Sequence, residues 1–540
     1  MIKYANMHLN NLELANIAQW EKAEIVLPQF DREAMIAATA KAPQWVHFGA
    51  GNIFRAFPAA LAQALLEKGL MQTGIAAAEG YDGEIIDKCF SPFDNLSLLV
   101  TLKADGSASK QVIASVAASY RIDRKIAALK EIFTQPSLQM ASFTITEKGY
   151  SLFDRDGILL PDIAEDKGKP PDAAKSYLGR ICALCHERYA KGAHPLALVS
   201  MDNCSHNGDR LYAAMEAFAK SWTEKGFTEK GFLEYMQNPQ KISFPWTMID
   251  KITPRPDDSV RLMLIEAGLD DMQEIVTEKH TYTAPFVNAE ETQYLVMEDA
   301  FPNGRPPLEE AGVLFADRET VDKVEQMKVC TCLNPLHTAL AIFGCLLGYS
   351  RISDEMKNPD LVKLIEGIGY REGLPVVIDP GIINPKEFID QVINVRLPNP
   401  FIPDSPQRIA TDSSQKIPIR FGGTIKAYAA RGLPAASLTF IPLTLAAWLR
   451  YLLGIDDRGN QFDISPDPLY ASIKPLLEGI KLSQKGPFHA ALEPILSNSN
   501  IFGLNLYKAG LGGRIESYFE ELLAGIGAVA KTLKKYASCE

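Results

Sequence analysis

Residues 45–52, Trp45-Val46-His47-Phe48-Gly49-Ala50-Gly51-Asn52, decide the fold. Four residues of strand character run into a glycine-rich turn. Phe57 to Lys68 (FPAALAQALLEK) follows with apolar residues at helical spacing, and Gly69 stands where a C-cap belongs. Ile75-Ala76-Ala77-Ala78 then reads as a second strand that ends at Glu79. Strand, glycine turn, helix, strand is a βαβ unit. Gly49-x-Gly51 allows a tight turn and close backbone approach to a pyrophosphate at a helix N-terminus. Phe54 replaces the third glycine of the full dinucleotide pattern, so the turn alone is a weak signal, and an ordinary βα turn is the competing reading. Glu79 is placed to accept bonds from an adenosine ribose, which favours NAD over NADP. The alternative is a solvated acid at a strand end.

Outward from this unit the pattern continues. Strands are expected at Leu96–Leu102, Gln111–Ala117, Met140–Thr146 and Leu196–Met201, with helices at Lys125–Phe133 and Ala173–Tyr189. That alternation predicts a doubly wound α/β domain. Near residue 300 a proline-punctuated loop (AFPNGRPPLEEAG) intervenes, and the segments after it read as helices at 320–349, 352–370, 383–396, 424–430, 436–454, 467–482, 487–497 and 513–535. The expected organisation is a lead-in over 1–40, a Rossmann-type domain over 41–300 and a mainly α-helical domain over 301–540. The last segment, to Glu540, reads as one amphipathic helix that packs in the core, with self-association the alternative.

Composition narrows the function. The chain has 540 residues, 47% hydrophobic and 22% charged, with a formal net charge of −11. An acidic chain without a basic run is a poor partner for nucleic acid or an anionic membrane. The first twenty residues lack the basic-then-apolar order of a signal peptide. The most apolar stretch, Leu438 to Ile455, contains Pro442 and Arg450, which favours a buried helix over a membrane span. Eight sparse cysteines read as reduced thiols of a cytoplasmic protein. Cys182-x-x-Cys185-His186 has the spacing of a haem attachment, but it lies in an amphipathic helical pattern. It is read as two half-buried cysteines and an exposed histidine. Cys204-x-His206 and Cys330-x-Cys332 lack zinc-site spacing, and no metal is expected.

Four polar clusters stand out: Thr144–Tyr150, Ser200–Cys204 with Asn207-Gly208, Phe244–Pro254, and Lys328 through Asn334 to His337. The first two follow strands, and open α/β sheets bind ligands at strand C-terminal ends. The motifs GAGNIFRAF, TITEKGY, SMDNCSHNG, FPWTMIDKITP and KVCTCLNPLHTALAIFGCLLGY occur in the order seen in the polyol-specific long-chain dehydrogenases, also called the mannitol dehydrogenase family. The resemblance runs from about residue 43 to at least 425.

It implies a metal-independent oxidoreductase using NAD(H), with NADP(H) the alternative, and a small sugar acid or polyol as substrate. It places the catalytic lysine on Lys328, the two carbonyl-polarising asparagines on Asn203 and Asn334, and the substrate-binding histidine on His337. Asp250, Arg408 and Lys416 are implied in substrate binding, and Glu147 and Glu325 in the proton path. The cofactor would meet Gly49, Gly51, Asn52, Phe54, Arg55 and Glu79. Two amide donors stabilise a developing alkoxide. A lysine delivers its proton if burial and neighbouring cations favour the neutral form. Within the family the Lys328–Tyr349 stretch is most similar to the fructuronate reductase branch, which implies interconversion of D-fructuronate and D-mannonate. Tagaturonate reduction and mannitol oxidation are the alternatives.

One departure is structural. The family has five steps from the lysine to the helix asparagine; Lys328 to Asn334 is six, with Val329 in the lysine's place. On a regular helix, at about 100° per residue, Lys328 and His337 face opposite sides. A π-bulge around Val329–Cys332 would absorb the extra residue. Without it, a catalytically silent sugar-acid or nucleotide-binding protein on this fold is the competing reading.

Overall fold

The computed structural model describes residues 7–538. The chain forms two compact units, one of Met1–Leu102 with Ser107–Asp322, the other of Lys103–Gly106 with Lys323–Glu540.

In the first unit six parallel strands form one sheet: β1 (Trp45–Phe48), β2 (Ile75–Glu79), β3 (Val116–Arg121), β4 (Met140–Phe143), β5 (Leu196–Ser200) and β6 (Ile242–Ser243). Their order is β3-β2-β1-β4-β5-β6, that of a dinucleotide-binding doubly wound sheet. Strand alternation sends successive side chains to opposite faces. Val46, Phe48, Ala76, Ala78, Ala141, Phe143, Leu196 and Leu198 enter one core. Trp45, Ile75, Ala77, Met140, Ala197 and Val199 enter the other. Covered on both faces, the strands are buried throughout at β1, β2, β4 and β5, as parallel strands require. The turn after β1 opens α1 (Asn52–Ala56), and α2 (Pro58–Glu67) packs on one face. Helices α3 (Tyr177–Ala190) and α4 (Asn207–Glu224) line the other.

Several expectations change in detail. Gln111–Ala117 is not one strand. Ala108–Ile113 pairs antiparallel with Ser97–Leu102 in a separate sheet, and β3 begins only at Val116. The break at Ala114-Ser115 lets the chain pass from one sheet to the other, with the Ser115 carbonyl accepting the Ile75 N–H at 2.9 Å. The lead-in belongs to this unit: Ile25-Val26 pairs with Lys110-Gln111, and Trp20 is fully buried. So does the loop near residue 300, because Leu314–Ala316 returns to pair parallel with Tyr294–Glu298. The division between units falls later, inside helix α5 (Arg318–Met327). Cys182 and Cys185 are fully rather than half buried, and His186 is half-buried with its ring edge-on to Phe232 at 5.0 Å.

The second unit is helical. Helix α6 (Asn334–Leu347) is apolar almost all round and runs through its core. Helix α7 (Ser413–Arg420) follows, then α8 (Phe440–Tyr451), every residue of which is buried. The apolar stretch Leu438–Ile455 thus contains a core helix. The C-terminal segment is two helices rather than one, α9 (Gly512–Leu523) and α10 (Ala528–Ala537). Gly525 and Gly527 stand between them at φ +146° and +76°, a geometry glycine adopts without penalty. Helix α9 packs on α8.

Candidate active site

The first unit carries the dinucleotide turn. It leaves β1 at the point where the strand order reverses, the usual place for a ligand in such sheets. Gly49 has φ +105°, and a Cβ there would stand 2.2 Å from the Thr144 carbonyl oxygen, so glycine is required. A Cβ on Gly51 would meet nothing within 4 Å, so open space adjoins the start of α1. The first N–H groups of a helix lack intrahelical partners. The turn therefore fits a pyrophosphate in both shape and donors.

Three buried groups hold the turn. Glu79, only 5% exposed, accepts the backbone N–H of Ala50 at 2.8 Å, of Tyr81 at 2.7 Å and of Asp82 at 3.0 Å. It is not a solvated acid. Burial pushes its carboxyl pKa up, and the three N–H donors oppose that rise. His47 stacks on Phe54 at 4.2 Å and bonds Ser142 Oγ at 2.6 Å and Thr144 Oγ1 at 2.8 Å. The Thr144 hydroxyl lies 3.2 Å from the Gly49 carbonyl. Burial drops the His47 pKa to about 3, so the ring is neutral. Arg55 is buried, and its guanidinium donates to the Ala284 carbonyl (2.6 Å), Thr283 Oγ1 (2.9 Å) and Asn52 Oδ1 (2.8 Å). Phe54 and Arg55 thus lie behind the turn, while Gly51 and Asn52 are partly open to solvent.

The loops after β4 and β5 are joined by Asp202. Its carboxylate accepts the N–H groups of Ile145 (2.8 Å) and Thr146 (2.9 Å) and the Tyr150 hydroxyl (2.6 Å). Thr146 sits at φ +65°, a strained position for a β-branched residue. Asn207 fastens the end of β5 to the strand Thr247–Asp250, which follows β6. Its amide donates to the Asp202 and Thr247 carbonyls at 3.0 Å, and its oxygen accepts the Thr247 N–H at 3.0 Å. Asn203, beside Asp202, is exposed, and Asp250 is 5% exposed. Glu147 is exposed and pairs with Arg210 at 3.1 Å. Trp246 of the FPWTMIDKITP motif stacks on His206 at 4.2 Å.

In the second unit the helix of the lysine is irregular where the extra residue requires it. Residues Lys328–Cys332 form a π-helical turn between α5 and α6. The wider turn takes up one residue and removes the feature that motivated a catalytically silent reading. Lys328 is 3% exposed, Glu325 and Asn334 are half-buried, and Pro335 opens α6. His337 Nε2 lies 3.4 Å from Asp404 Oδ2. Burial drops its pKa to about 4; Asp404 opposes this, and Arg420, Arg396 and Arg408 add to it. The imidazole is therefore neutral. Arg408 is exposed and ion-paired to Asp404. Lys416 on α7 donates to the carbonyls of Ile409 and Thr411, and its pKa is lowered by burial and by Arg420. Arg396, Arg420 and His47 were not singled out by the sequence, and Asp202 and Asn207 stood out there only as members of a polar cluster, without a role. Among the described residues, no three His, Cys, Asp or Glu side chains gather as a metal set, and the seven described cysteines are free.

Comparison with known proteins decides the family. Residues 43–310 match the mannitol dehydrogenase Rossmann domain and 320–523 the mannitol dehydrogenase C-terminal domain. The chain belongs to the mannitol dehydrogenase family. It is an oxidoreductase acting on CH–OH groups. It is 50% identical over 540 residues to the D-mannonate oxidoreductase of Thermotoga maritima, covering 99% of this chain and 100% of that protein. It is 30% identical to the mannitol 2-dehydrogenase of Pyrenophora tritici-repentis over 79% of this chain and 72% of that one. Among solved structures it resembles Pseudomonas fluorescens mannitol 2-dehydrogenase in ternary complex with NAD and D-mannitol. There the TM-score is 0.69 at 26% identity, over 98% and 99% of the two chains. The fold is also that of a substrate-free D-sorbitol dehydrogenase, with TM-score 0.79 at 23% identity over 94% and 97%.

Proposed function

We propose that this enzyme interconverts D-fructuronate and D-mannonate with NAD(H), in the cytoplasm. The observation that carries the reading is the 50% identity, across 99% of the chain, to a D-mannonate oxidoreductase. The cation-rich surroundings of His337 support it, because a keto-uronate carries a carboxylate that mannitol lacks.

The roles follow from residue chemistry. The glycine turn holds the dinucleotide's pyrophosphate through Gly51 and the first N–H groups of α1. Glu79 keeps one lone-pair position beyond its three N–H partners for a ribose hydroxyl. The nicotinamide, when bound, supplies or accepts the hydride. Asn203 and Asn334 donate amide N–H groups to the substrate oxygen and stabilise its negative charge. Lys328 Nζ gives that oxygen its proton in reduction and removes it in oxidation. His337, neutral, hydrogen-bonds a substrate hydroxyl. Asp250 accepts from another, and Glu147 and Glu325 relay the proton to solvent.

The test is NADH oxidation by the purified protein with D-fructuronate, D-tagaturonate and D-fructose in parallel. D-Fructuronate is expected to show the highest kcat/KM. A preference for either of the other two would replace this substrate assignment with a different family member.

A further inference from the structure

The charges around His337 in the second unit do not balance. Arg408 is exposed and spent on Asp404. Lys416 is tied to two backbone carbonyls. Arg420, at the end of α7, is different. Its guanidinium donates to the Thr338 hydroxyl at 2.6 Å, and that hydroxyl donates to the Asn334 carbonyl at 2.8 Å. No carboxylate of the described residues lies within ion-pair distance of it. Burial alone lowers its pKa, to about 10, with no acid opposing the shift.

A half-buried guanidinium with no counter-charge is costly unless something anionic completes it. It has five N–H donors in a planar fork, and Thr338 engages one terminal nitrogen. The fork matches a carboxylate in two parallel bonds. Thr338 is next to His337 and one helical turn from Asn334, so the fork is anchored to the helix that carries both of these proposed substrate contacts.

We infer that Arg420 is the specificity-determining residue that binds the carboxylate of a keto-uronate, whereas Arg408 is held by Asp404. This rests on the proposed substrate class. A neutral ketose would leave the Arg420 charge uncompensated, so Arg420 separates sugar acids from polyols.

The experiment compares wild type, Arg420→Gln and Arg420→Lys on D-fructuronate and on D-fructose, which has a hydroxymethyl group in place of the carboxylate. Arg420→Gln is expected to raise KM for D-fructuronate about 100-fold while kcat stays within a few fold. Its kcat/KM on D-fructose is expected not to fall. Arg420→Lys, which keeps the charge but loses the fork, is expected to raise KM about tenfold and so keeps the test valid if the glutamine variant folds poorly. An unchanged KM for D-fructuronate in both variants overturns the inference. So does an equal loss on both substrates, the mark of a merely structural arginine. Absence of wild-type turnover with D-fructuronate instead removes the substrate reading on which the inference stands.

Discussion

The carboxylate of Glu79, at the end of β2, accepts the backbone N–H of Ala50 in the glycine turn at 2.8 Å. Two further N–H groups, of Tyr81 and Asp82, share the same side chain. The acid therefore fixes the turn before any ligand arrives. Glu79→Gln keeps the shape but replaces one acceptor by a donor facing an N–H group. It should weaken NADH binding about tenfold, the equivalent of about 1.4 kcal/mol, as read by fluorescence titration. Unchanged affinity would mean that the turn holds its form without Glu79.

Asp202 does the same for the loops after β4 and β5. Asp202→Asn turns one acceptor into a donor, so at least one of the partly buried Ile145 and Thr146 N–H groups and the buried Tyr150 hydroxyl loses its acceptor, at a cost of up to about 1–3 kcal/mol. Thr146 is held at positive φ by that carboxylate, so the loop should relax and Asn203 should move with it. The expected result is kcat lowered about 100-fold with NADH affinity intact. A variant that loses stability but keeps kcat would confine Asp202 to the scaffold.

Glu372 supplies a pH test of the second unit. It is 5% exposed and caps α8, accepting the N–H groups of Phe440 (2.7 Å), Ile441 (2.8 Å) and Thr439. Burial raises its pKa to about 7 against the three donors and Arg514. The folded value lies above the ordinary 4.5, so the folded state holds the proton more tightly. The stability this adds is full below pH 4.5 and is lost as pH rises through about 7. The change is about 3 kcal/mol. Glu372→Gln cannot titrate. Wild-type Tm should fall relative to the variant between pH 5 and pH 8, and parallel Tm profiles would contradict it.

His337 makes the opposite point. With its pKa near 4, it stays neutral above pH 5. The kcat/KM profile should show no break near pH 6.5. A break there that disappears in His337→Asn would show that the ring titrates in the working range.

How much of this was legible in the sequence depended on the range of the interaction. The β1 turn and α2 declare themselves because their patterning is local. The π-turn was also legible, because against the spacing of the family it resembles the chain has one residue too many between Lys328 and Asn334, which on a regular helix would turn Lys328 away from His337. The break at Ala114-Ser115 was not, since an apolar run reads alike in one sheet or two. Nor was the division at Asp322, because Leu314–Ala316 rejoins the first unit through a pairing that no local pattern announces. Asp202 and Arg420, and Glu79 through Ala50, bond partners far along the chain, and Arg420 matters through the absence of an acid that only the folded structure can reveal.

The proposed proton donor is Lys328, and its removal is the most direct measurement. Single-turnover oxidation of NADH with D-fructuronate should slow by about 10²–10⁴-fold in Lys328→Ala, with NADH affinity unchanged. A rate within a few fold of wild type would contradict the assignment of Lys328 and leave the general acid to another residue.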